Sequence, residues 1–137
     1  MAQMPESIHN ELHFQREVLR ALLDRLARAA ERILRGEPAV QELRDAQRTL
    51  HEVLEIHLRQ EEAMLGPLLR TRWTSERTAR LRAEHCSALQ ALQAERSRGA
   101  RESAAASRLL VRRMLAAMAA EERDLDGGER RSGSAPP

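Results

Sequence analysis

Apolar residues recur at alternating intervals of four and three along four stretches of the chain, the spacing that lines one face of a helix in a bundle. The plainest seam runs Leu43, Gln47, Leu50, Leu54, His57, Glu61, Met64, Leu68. An earlier helix, starting at Pro5 or Ser7, carries Ile8, Leu12, Leu19, Leu22, Leu23, Leu26 and Ile33 and ends at Gly36-Glu37-Pro38. Pro38 is tolerated in the first turn of the second helix, and Pro67 bends or terminates that helix near Leu69. Arg72-Trp73-Thr74-Ser75 makes the next connection, with Thr74 or Ser75 as N-cap of a third helix. Its seam is Thr78, Leu81, His85, Ala88 and Leu92, and it fades near Gly99. A fourth helix from about Arg101 has the seam Leu110, Met114, Ala117, Glu121 and Asp124, flanked by Val111, Met118 and Leu125. Gly127-Gly128 is expected to stop it.

Four long amphipathic helices joined by short connections predict an all-α fold, an antiparallel up-down-up-down four-helix bundle. Residues 1–125 form the bundle in this reading, and 126–137 form a polar disordered tail with nothing apolar to bury. A length of 137 residues suffices for one core and not for two.

Charge changes this picture little. All 23 basic residues are Arg, interleaved with 21 acidic ones for a net charge of +2, so they read as solvated helix faces with i,i+4 pairs. Phe14 and Trp73 are the only aromatics, too few to stack bases, and no nucleic-acid partner is expected. Cys86 stands alone, has no disulfide partner within the chain, and is expected as a packed thiol. With no apolar run of signal or spanning length, a cytoplasmic location and no membrane partner are the expectations. The sequence names no protein partner.

The chemistry lies where polar residues interrupt the seams. His57 and Glu61 sit one turn apart on a stripe that should hold Leu or Ile. An unpaired carboxylate in apolar surroundings costs several kcal/mol or shifts its pKa until it is neutral, and a divalent metal would compensate it. His85 and Glu121 occupy equivalent positions on the third and fourth helices. With Leu19 as the stripe centre of the first helix, His9 lies roughly 80° away and His13 roughly 120°, so either could reach inward, His9 at the better angle. Counting a rise of about 1.5 Å per residue from the Trp73 connection brings His57 and His85 to similar levels. A mixed imidazole and carboxylate set favours iron over a thiolate zinc site. The competing reading is a hydrogen-bonded polar pair inside a metal-free bundle, with Met64, Met114 and Met118 filling the core and His51 off the seam.

The run His57-Leu58-Arg59-Gln60-Glu61-Glu62, followed by Met64-Leu65-Gly66-Pro67-Leu68-Leu69, resembles the second-helix motif of the hemerythrin-like proteins with the HHE cation-binding domain. Leu81-Arg82-Ala83-Glu84-His85 is similar to their third-helix motif, and Ala120-Glu121-Glu122-Arg123-Asp124-Leu125 to the end of their fourth. The resemblance spans roughly residues 8 to 125. It implies a bundle holding two non-haem irons, or one, with histidines as terminal ligands and carboxylates bridging. The metal ligands it implies are His57, Glu61, His85 and Glu121, with His9 or His13 from the first helix. The family's fourth-helix histidine is replaced by Ala117, which either opens a coordination position on the second iron or removes that iron. The implied role is to bind, sense or scavenge dioxygen, peroxide or nitric oxide. The alternative drawn from Ala117 is a family member that has dropped its metal and serves as a helical interaction or regulatory module.

Overall fold

The computed structural model describes residues 6–65, 75–95 and 98–133; side chains at 8, 9, 62, 64, 65, 75–78, 81, 121 and 124–133 fall outside that description. The expectations for Pro67, Leu68, Trp73 and Thr74 also fall outside the described residues. Four helices follow in order: α1 (Glu6–Leu34), α2 (Val40–Leu65), α3 (Ser75–Glu95) and α4 (Ala100–Gly133). Helix α1 packs against α2 and α4, and α3 packs against the same two. The result is an all-α four-helix bundle in which α2 and α4 lie across a diagonal.

The seam of α2 is buried as its spacing predicts. Leu43, Ala46, Gln47, Leu50, Leu54, His57 and Glu61 all turn inward. They meet Leu19, Leu23, Leu26, Ala30 and Ile33 from α1 and Ala88 and Leu92 from α3. Each fully buried leucine contributes about 1.5–3 kcal/mol relative to an exposed one, and this oily column fixes how the helices face each other.

Helix α4 buries Leu110 and Met114 of its expected seam and is turned toward the flanking Val111 and Met118. Met118 is 2% exposed whereas Ala117 is only half-buried, and the buried line runs through Ser103, Ser107, Val111, Met114 and Met118. Burying a methionine removes far more apolar surface from water than burying an alanine, so the helix turns its larger side chains inward. It also continues past Gly127-Gly128 to Gly133, beyond the predicted stop. Each helical glycine costs about 1 kcal/mol relative to alanine, a penalty that weakens a helix without forbidding it.

The α1–α2 connection is set by one glycine. Gly36 has φ +87°, and its amide donates to the Ile33 carbonyl at 2.9 Å while the Glu37 amide donates to Arg32 at 2.9 Å. This paired bonding satisfies the last carbonyls of α1 and requires the left-handed conformation that glycine adopts without strain.

A polar cluster closes one end of the bundle. Gln47 donates through Nε2 to Ser103 Oγ at 2.7 Å and Ser107 Oγ at 3.1 Å, crossing the diagonal from α2 to α4. Arg44 donates to the main-chain carbonyls of Glu95 at 2.7 Å and Arg98 at 2.6 Å, capping the end of α3. Cys86, expected to be packed, is exposed. His51 is half-buried, its Nδ1 4.0 Å from Glu55 Oε2.

Candidate metal centre

The i,i+4 spacing on α2 stacks His57 and Glu61 on its inward face, and the α3 stripe brings His85 to meet them. His57 Nε2 lies 2.9 Å from Glu61 Oε2, and His85 Nδ1 lies 3.8 Å from the same oxygen. The two imidazole rings meet edge to face, with centroids 5.0 Å apart and planes at 70°. All three side chains are buried, and one ligand atom from each lies within 4.8 Å of the others.

Burial pushes the His85 imidazole down to about 4; the Glu61 carboxylate opposes that shift, while His57 and Arg16 reinforce it. His85 is therefore neutral near pH 7, the form in which an imidazole nitrogen can bind a metal. Arg16 itself is buried on α1.

Two features fit a cation. Glu61 Oε1 and His85 Nδ1 are buried without a hydrogen-bond partner, a costly condition that a metal would relieve. Two donors each about 2.1 Å from one ion, at right angles, stand about 3 Å apart, which matches the His57–Glu61 separation. Imidazole with carboxylate is also a donor set suited to iron and similar divalent ions.

Other candidate residues stand differently. His13 is exposed on α1, and the side chains of His9 and Glu121 lie outside the described residues. Glu122 is half-buried and forms an ion pair with Arg20 of α1. Among the described side chains of α1, Gln15 is buried with its Oε1 2.5 Å from His57 Nδ1. Sequence reasoning passed over it, although a signal existed: the α1 stripe lacks an apolar residue between Leu12 and Leu19, where Gln15 and Arg16 stand.

Comparison with known families gives the class. The hemerythrin HHE cation binding domain matches residues 7–126, and the chain belongs to that family. No curated protein and no solved structure matches it. No helix among the described residues is long and apolar enough to cross a membrane.

Proposed function

We propose that this protein binds non-haem iron between its helices and uses it to bind, sense or scavenge dioxygen, peroxide or nitric oxide. The observation that carries the reading is the buried trio of His57, Glu61 and His85, with two of its polar atoms left unpartnered inside the bundle. His57 and His85 would act as terminal ligands through their ring nitrogens. Glu61 would supply the negative charge that makes a buried cation affordable and could bridge a second ion. Glu121, and His9 or His13, are the proposed donors from the remaining helices, giving two irons or one. Iron with an open coordination position supplies reversible binding of small diatomic or peroxide ligands.

Iron content per chain after anaerobic loading, followed by visible absorption on exposure to oxygen, peroxide or nitric oxide, tests this directly. Protein from iron-supplemented cells that carries no metal and shows no thermal shift with ferrous ion would favour the metal-free interaction module, for which Ala117 is the motivating residue.

A further inference from the structure

Gln15 is held in one orientation by partners on two helices. Its Nε2 donates to Glu11 Oε1 at 3.1 Å and to Gln60 Oε1 at 2.6 Å, and its Oε1 faces His57 Nδ1 at 2.5 Å. An ionised carboxylate can only accept, so the nitrogen of the Gln15 amide must point to Glu11 and its oxygen to His57. The ring nitrogen facing that oxygen must then donate. His57 Nδ1 therefore carries a proton, and in the neutral ring Nε2 presents a lone pair toward Glu61 and His85.

From this geometry we infer that Gln15 is a positioning residue for the metal centre, fixing His57 in the tautomer whose Nε2 is free to bind a cation. The inference rests on reading the His57, Glu61 and His85 cluster as a metal site. Without Gln15, the ring has a better alternative: it can move its proton to Nε2, where Glu61 Oε2, 2.9 Å away, accepts it. That arrangement satisfies both groups and removes the lone pair a metal needs. A hydrogen bond from the remote ring nitrogen also raises the basicity of the ligating one, and losing such a bond elsewhere costs about 10–100-fold in metal affinity. Glu11 and Gln60 act one step further out by orienting the amide.

Two readouts test this on the full chain, with Co²⁺ as the metal probe. Long-range ¹H–¹⁵N spectra of metal-free protein report which ring nitrogen of His57 bears the proton, and visible absorption follows Co²⁺ binding. The unaltered chain should show a protonated Nδ1. Gln15→Leu should shift the proton to Nε2 and weaken Co²⁺ binding about 10–100-fold. Glu11→Gln combined with Gln15→Glu exchanges carboxylate and amide, keeps an acceptor opposite Nδ1, and should bind Co²⁺ within about threefold of the unaltered chain. Should Gln15→Leu fail to fold, Nδ1 found unprotonated in the unaltered chain, or the exchanged pair losing Co²⁺ as leucine is expected to, overturns the inference. A folded Gln15→Leu with Nδ1 still protonated and unchanged Co²⁺ affinity overturns it equally. An unaltered chain that takes up no Co²⁺ instead counts against the metal reading, while the tautomer spectra still decide whether Gln15 holds the ring.

Discussion

Arg44 of α2 stands 2.7 Å from the carbonyl oxygen of Glu95, the last residue of α3, and its other guanidinium nitrogen reaches Arg98 at 2.6 Å. One side chain of α2 thus ties that helix to the end of α3. Arg44→Ala should destabilise the protein by about 2–3 kcal/mol, because two charge-assisted hydrogen bonds to main-chain carbonyls at and just beyond the end of α3 are lost. Metal uptake should be unchanged, since His57 lies about 20 Å further along α2. Urea unfolding and metal analysis of the same variant check both halves.

The buried trio gives a second expectation. His57→Ala and Glu61→Ala should each lower iron content well below that of the unaltered chain, and Glu121→Ala should lower it too if α4 completes the site. Retention of full iron by all three variants would move the metal elsewhere. In metal-free protein, Glu61→Gln should cost little stability or raise it, because a buried charge is exchanged for a neutral amide of similar shape. Chemical denaturation without metal reads that difference.

Acid should weaken the metal-free fold through His85. Its folded pKa is depressed to about 4 by burial, against an ordinary value of 6.5. Between those values the unfolded chain holds a proton that the folded one refuses, so stability falls as pH drops from about 6.5 to about 4 and this contribution then levels off. The loss is on the order of 3 kcal/mol. Thermal midpoints across that window should lose part of this slope in His85→Gln.

Ligand linkage supplies a fourth outcome. Free ferrous ion at about a hundred times its dissociation constant should stabilise the native state by about 2.7 kcal/mol and raise the unfolding midpoint by roughly 10 °C. Scanning calorimetry under anaerobic conditions, with and without a chelator, measures this. A midpoint indifferent to ferrous ion would rule against a native site.

Much of this architecture is legible in α2 alone. Leu43, Leu50, Leu54, His57 and Glu61 follow one unbroken period, and all are buried, since many large side chains vote for the same face. In α4 the vote is closer: alanines are plentiful, and Ala117 and Met118 define stripes only about 100° apart, so the helix settles by volume that periodicity does not weigh. Gln15 was missed for a related reason. A polar residue on an apolar stripe reads as a gap, and its value emerges only when Glu11, Gln60 and His57 surround it. Cys86 shows the converse, since its neighbour His85 is buried while the thiol, one residue around the helix, faces water.

Between the Gln47 cluster and His57, the inward face of α2 offers mainly Leu50 and Leu54. A column of leucine alone would let one helix slide by a heptad, about 10 Å, and bury the same oil again. Hydroxyls on α4 that answer Gln47 at one height and an amide on α1 that answers His57 at another make the rod indexed: a slip of α2 leaves both stations unanswered at once. The height of the imidazole is thereby gauged from the far end of the bundle, and exchanges at Ser103 or Ser107 become a remote means of adjusting it.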